Sequence, residues 1–231
     1  MPFGSSDSDL FNDLFVSGRI VNYGRGETIL RAGEEPQGIF LIVKGFVRIY
    51  SVREDGQELS LSIYKEGSCF PLLWALGNIP NEYSFEALTD VELKRIPREA
   101  AIEYFQNHCE EFYGLMKRVF VGLDGILTNV EYQLSGDAYH RIVSVLYLTA
   151  KRFGEADGPE GVRIPIPLTH QNIASLSAVS RETASLMLEK LKDRGLIVYQ
   201  RKCITVADIE KLERETNIYK SAPQSQTAPA T

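Results

Sequence analysis

The chain has 231 residues, 44% of them hydrophobic and 24% charged, enough for one large domain or two ordinary ones. That composition is globular and excludes a wholly disordered or fibrous chain. The net charge of -6 and pI of about 5.2 exclude a uniformly basic nucleic-acid binder, so any basic surface must be local.

Residues 1–19 read as an N-terminal segment. Its start, MPFGSSDSDL, has neither the basic start nor the apolar core of a secretory leader. Residues 20–97 read as a β-roll sensor domain. Glycines at 24, 26, 33, 38, 45, 56, 67 and 77 punctuate β-rich runs. The runs are Ile39–Val43, Phe46–Val52 and Leu59–Tyr64, and the last two alternate apolar with polar residues. Glu54-Asp55-Gly56-Gln57 between them is a hairpin turn. This texture predicts a small antiparallel jelly roll. The longest apolar run, Cys69 to Leu76, is far below the roughly 20 residues of a membrane span, so no membrane partner is expected.

Residues 98–134 change to helical periodicity and read as connecting and dimerisation helices. Phe112, Val119 and Ile126 are seven apart, as are Met116, Leu123 and Val130, which together make an a/d seam. Phe120, Leu127 and Leu134 form a second apolar row. Two apolar rows predict one face against the chain's own domain and one against a second copy; a helix clamped between two domains is the alternative. Residues 135–212 read as the next domain. Asp137 caps a helix from Ala138 to about Phe153. A loop follows, then an edge strand, Val162–Pro167, placed at an edge because of its prolines.

Leu168 to Val206 is the most informative stretch. Thr169 caps a short helix in which the small Ala174 admits a neighbour. Ser177-Ala178-Val179 is a turn. Ser180 caps a second helix, Arg181 to about Asp193, which Gly195 ends. Two strands joined by Gln200-Arg201-Lys202 then make a β-wing. Helix, tight turn, helix and wing form a winged helix-turn-helix. Charge agrees: residues 163–202 hold seven basic and three acidic side chains, a net +4 on a body of -10. The second helix fits a major groove, with Ser180, Arg181, Glu182 and Ser185 at base edges. Thr169, His170, Gln171 and Thr183, with Arg201 and Lys202 on the wing, are placed on phosphates. Thr169 and Ser180 serve as helix caps as well. Residues 213–231 form a tail ending in the low-complexity SAPQSQTAPAT.

From about Tyr23 to Leu212 the chain resembles the CRP/FNR family of bacterial transcription regulators. GETILRAGEEPQGIFLIVKGFVRIY is similar to the opening of that family's cyclic-nucleotide-binding β-roll. LTHQNIASLSAVSRETASLMLEKLKDRGLI is similar to its helix-turn-helix, with SRET a close match at the recognition helix. The resemblance implies an α+β fold: an antiparallel β-roll, a long dimerisation helix and a C-terminal winged helix-turn-helix. It implies a sequence-specific, homodimeric regulator with double-stranded DNA, a second copy, RNA polymerase and a small-molecule effector as partners. Arg181 and Glu182 match base-reading positions, and Ser185 matches one used in the oxygen-sensing branch. Leu186 departs: the family places a second arginine there, so its TGTGA-like half-site does not carry over unchanged.

The sensor departs further. Leu72 stands where the family's ribose-binding glutamate is expected, and Asn81 or Glu82 near its phosphate-binding arginine. No basic residue lies between Lys65 and Lys94, and Ile126 and Leu127 occupy the adenine-facing part of the long helix. Cyclic AMP is therefore disfavoured. Cysteines at 69, 109 and 203 are too scattered for an iron–sulfur cluster or a disulfide framework, and they predict a reducing cytoplasm. No histidine precedes His108, so the roll offers no haem ligand and no histidine for a metal enzyme. No cofactor, metal or catalytic residue is expected, and the chain reads as a non-enzyme. Leu72, Leu73, Trp74, Tyr83, Phe85 and Leu127 either line a pocket for an apolar or aromatic effector or simply fill the roll. The rival function is a small-molecule-binding module whose helix-turn-helix serves protein contacts.

Overall fold

A computed structural model describes residues 11, 13–134, 136–158, 161–200 and 203–216. The elements in chain order are β1 (Arg19–Tyr23), β2 (Thr28–Leu30), β3 (Ile39–Lys44), β4 (Val47–Val52), β5 (Glu58–Tyr64), β6 (Cys69–Phe70), α1 (Leu72–Gly77), β7 (Ser84–Ala87) and β8 (Val91–Ile96). Helices α2 (Arg98–Asn107), α3 (Cys109–Leu134) and α4 (Ala138–Phe153) follow. Then come β9 (Glu155–Ala156), β10 (Val162–Ile164), α5 (His170–Leu176), α6 (Arg181–Asp193), β11 (Ile197–Gln200), β12 (Cys203–Val206) and α7 (Ile209–Arg214). Among the described residues no helix is long and apolar enough to cross a membrane.

The roll packs two antiparallel sheets, ordered β1-β8-β3-β6 and β2-β7-β4-β5. Their inner faces bury Leu30, Phe40, Ile42, Val47, Ile49, Phe70, Phe85 and Leu93. Strand β3 is apolar from Ile39 to Val43, and its first four residues are buried because both its faces are covered there. Phe40 and Ile42 point inward, whereas Ile39 and Leu41 meet a second cluster built on Phe11, Phe15, Ala75, Ala101 and Phe105. The apolar run Cys69–Leu76 is the strand β6 followed by helix α1, an element the sequence pattern does not suggest.

Strand β5 departs from simple alternation. Ile49 and Tyr50 are consecutive on β4 but face Ser62 and Ser60 on β5, so Leu61 is an extra residue in a bulge. Strict alternation would turn Ile63 inward with Leu61. The bulge instead lets Leu61 and Tyr64 pack toward the roll core while Ser60 and Ile63 face outward, onto the C-terminal half. There Ile63 and Leu88 join the cluster of Ile142, Leu146, Ile173 and Leu188. Phe46 meets Phe153 edge to face at 5.7 Å.

The connecting and dimerisation helices expected over 98–134 meet at His108, which leaves helical geometry (φ -130°, ψ 78°) and stacks on Tyr104 at 4.0 Å. Two further expectations are corrected. Strand β10 is not an edge strand: it lies between β12 and β9 in the sheet β11-β12-β10-β9 and ends before Pro165. Among the described residues neither apolar row of α3 is buried, although Met116 of the a/d seam packs against the Phe11–Phe105 cluster. Phe120, Leu127 and Leu134 are as open as the a/d seam, and only Leu115 and Tyr132 are buried.

The helix-turn-helix turn holds Ala178 at φ +50°, a left-handed geometry that costs an alanine about 1 kcal/mol. Ala178 is exposed, so its methyl group returns little packing. Ala178→Gly is expected to raise stability by about 1 kcal/mol, read as an upward shift of the thermal midpoint with DNA binding unchanged.

Candidate DNA-binding surface and sensor

The first helix of the motif starts with a capping box. The Thr169 hydroxyl accepts from Asn172 N at 3.1 Å, and the Asn172 side chain accepts from Thr169 N at 2.9 Å. Ser180 caps α6 by accepting from Thr183 N at 3.1 Å. Ala174 and Ala184 are both buried, and these small side chains let α5 and α6 pack closely. The last turn of α6 is tied to the C-terminal helix by the ion pair Arg194–Glu215 at 2.6 Å, with Tyr139 of α4 bonded to both residues.

This frame exposes Thr169, Gln171, Ser180, Arg181 and Glu182 and leaves His170, Thr183 and Ser185 half-buried. Arg181 and Glu182 lie side by side at the N-terminus of α6. Hydrogen bonds from its own backbone N–H and from the Ser180 hydroxyl hold the Glu182 carboxyl below its usual range. At neutral pH it is an ionised acceptor. Leu186 is 67% exposed on the same helix, an apolar side chain with no cover. Arg201 and Lys202 lie outside the described residues. Tyr199 on β11, which the charge pattern passes over, meets His170.

A cleft of about 260 Å³ separates this surface from the β4–β5 hairpin and is lined by Gln57, Glu58, Ser175, Ser180, Arg181 and Glu182. Beneath it the two halves are joined by polar contacts. Ser175 of α5 is 2% exposed, accepts from Ser60 N at 2.9 Å and donates to Glu58 O at 2.9 Å. The two hydroxyls are 2.8 Å apart. Arg48, also buried, pairs with Glu58 at 2.6 Å and Glu86 at 2.8 Å.

The six residues expected around an effector do not line one cavity. Leu72 and Trp74 pack toward Phe11 and Phe105, and Trp74 carries the Arg98 guanidinium over its ring at 5.0 Å. Leu73 and Leu127 are exposed. Phe85 and Tyr83 belong to the roll interior, where Phe85 stacks on Phe70 at 4.7 Å and Phe70 on Phe40 at 5.4 Å. Asn81, near the expected phosphate-binding position, donates to Arg31 O at 2.8 Å.

The profile of the cyclic nucleotide-binding domain matches residues 20–108, and that of the Crp-like helix-turn-helix domain matches residues 140–215. The global nitrogen regulator of Synechococcus elongatus is 30% identical over 194 residues, 81% of this chain and 85% of that protein. This chain belongs to the CRP/FNR family of transcription regulators. The family consists of helix-turn-helix DNA-binding regulators and not of enzymes. A CRP-like cAMP-activated global transcriptional regulator from Mycobacterium tuberculosis is 28% identical over 84% of this chain and 86% of its own length. In fold, the chain is similar to a CRP-family transcriptional regulator from Thermus thermophilus, with a TM-score of 0.71 and 24% identity, covering 86% of this chain and 97% of the other.

In this CRP/FNR regulator, burial pushes the Cys69 thiol up to about 12, and Arg118 offsets only part of that. At neutral pH the thiolate, which is the reactive form, is nearly absent. Cys109 is exposed at the start of α3. Cys69 is only half-buried, so alkylation at pH 8 is expected to label Cys109 first and Cys69 more slowly, as read by peptide mass spectrometry.

Proposed function

We propose that the chain acts in the cytoplasm as a homodimer on a palindromic DNA site and does not respond to cyclic nucleotides. The open apolar face of α3 carries the first part. Phe112, Val119, Leu123, Ile126 and Val130 lie exposed in heptad register, with Met116 half-buried at the same seam. Such a stripe on one long helix fits a second copy of itself by knobs-into-holes packing. A two-fold axis along α3 places two copies of α6 on one face, for half-sites one helical turn, roughly 34–36 Å, apart.

Reading is assigned to the exposed start of α6. Arg181 donates to a guanine and ionised Glu182 accepts from cytosine N4. Thr169, Gln171 and Thr183, with Arg201 and Lys202, set the register on phosphates, while Ser180 stands at the base edges beside Arg181. Leu186 offers a thymine methyl an apolar contact where the family's second arginine would take a guanine.

The Mycobacterium tuberculosis relative is named as cAMP-activated; this roll has no basic residue between Lys65 and Lys94, the stretch where the family's phosphate-binding arginine is expected. The roll interior is occupied by stacked rings, and Asn81 is engaged with backbone carbonyls. An effector acting through this roll is therefore recognised by apolar or aromatic contact, with Tyr83 and Phe85 of the roll interior as the residues to probe.

Leu123→Glu places like charges across the seam, and sedimentation is expected to show a monomer where the unmodified chain shows a dimer. Arg181→Ala is expected to lower affinity at least tenfold for duplexes enriched from random DNA by the wild-type chain, with an unchanged melting curve. Unaltered binding by that variant would favour the protein-contact reading of the motif.

A further inference from the structure

His170, Ser185 and Tyr199 come from three different elements, α5, α6 and β11, and they meet on the DNA-facing side of the domain. His170 Nδ1 lies 2.8 Å from the Ser185 hydroxyl, and its Nε2 lies 3.3 Å from the Tyr199 hydroxyl. Ser185 also reaches back to Arg181 O at 2.9 Å. Both ring nitrogens of His170 are thus engaged inside the protein. His170, expected from the sequence on a phosphate, here bridges the recognition helix and the wing.

The protons can be counted. A serine hydroxyl has one hydrogen and two lone pairs. If Nδ1 carries the imidazole proton, it donates to Ser185, whose own hydrogen goes to Arg181 O. If Nε2 carries the proton, Ser185 donates to Nδ1 instead. A doubly protonated ring repeats the first case. In every state the Ser185 hydrogen is used inside the protein and at least one lone pair remains for a ligand. Burial, and after it the carboxylate of Glu189, raise the Tyr199 phenol above its ordinary value, so its hydroxyl stays protonated and the bridge persists at neutral pH.

We infer that Ser185 is held as a hydrogen-bond acceptor only and selects a base that presents an amino group in the major groove, adenine N6 or cytosine N4, with His170 and Tyr199 as its positioning residues. Guanine and thymine present acceptors at the corresponding edge and leave two acceptors facing each other. The inference rests on the DNA-binding reading, and it names a base class for one position of the half-site. An unconstrained serine can turn its hydroxyl either way and discriminates less. The wing thereby contributes to base choice through Tyr199 without touching that base.

The test compares the full-length wild type with Ser185→Ala, His170→Ala, His170→Asn, His170→Gln and Tyr199→Phe. Each protein is used to select sites from random duplex DNA. Relative affinities are then measured by fluorescence anisotropy on duplexes that carry each of the four base pairs at every half-site position. Ratios within one protein cancel any loss of folded material. Ser185→Ala is expected to flatten preference at one position, where the wild type favours adenine or cytosine over guanine and thymine by about tenfold. His170→Ala flattens the same position and keeps discrimination at the others, as Tyr199→Phe does in part. An asparagine amide stands where Nδ1 stood and restores the preference, whereas glutamine places its donor at the Nε2 position and does not. Guanine or thymine preferred at the Ser185 position overturns the inference. So does equal weakening of all duplexes by His170→Ala, the mark of a merely structural residue. Failure of the wild type to enrich any sequence overturns the DNA-binding reading and this inference with it.

Discussion

The arrangement of the molecule depends on what strand β5 does with its outer face. A roll strand with one buried face would present polar side chains to water. The bulge at Leu61 breaks that pattern and turns Ser60 and Ile63 to the same side, where α5 sits on them. Ser175 is too deeply buried to reach water, so its bonds to Ser60 and Glu58 answer a real need: a buried hydroxyl or strand N–H without a partner costs about 1–3 kcal/mol. Arg48 lies under the same seam between two carboxylates. The recognition helix is thus positioned through a strand of the sensor domain, and a change in the β4–β5 hairpin has a short mechanical route to the DNA-facing surface.

Local chemistry was legible in the sequence where it rests on neighbours in the chain. Thr169, Ser180 and Asp137 cap the helices they were expected to cap, and α5 and α6 fall where the turn residues place them. The strands flanking Glu54–Gln57 also match. What was not legible is non-local. Alternation along β5 gives no sign of a bulge that exists to seat another domain. Helix α1 hides in an apolar run because it is buried on one side against Phe11 and Phe105, and β10 is interior because β12 and the two-residue β9 flank it. The His170–Ser185–Tyr199 bridge joins residues 15 and 29 positions apart, a pairing that only the fold supplies.

The proposed indifference of the sensor to cyclic nucleotides has a physical basis. A phosphate in a partly dry roll needs a cation or a set of backbone donors. The sequence carries no cation between Lys65 and Lys94, and rings fill the interior. The long helix carries the apolar Ile126 and Leu127 in the part that the family resemblance would set against an adenine. The same two side chains are exposed and enlarge the apolar face of α3.

The most direct test of this account is the mass of the complex between the full chain and its selected duplex, measured by sedimentation at low salt with no nucleotide added. Two chains on one palindromic duplex, with cyclic AMP leaving both stoichiometry and affinity unchanged, is the result the proposed function predicts. One chain per duplex, or a complex that forms only when cyclic AMP is added, would contradict it.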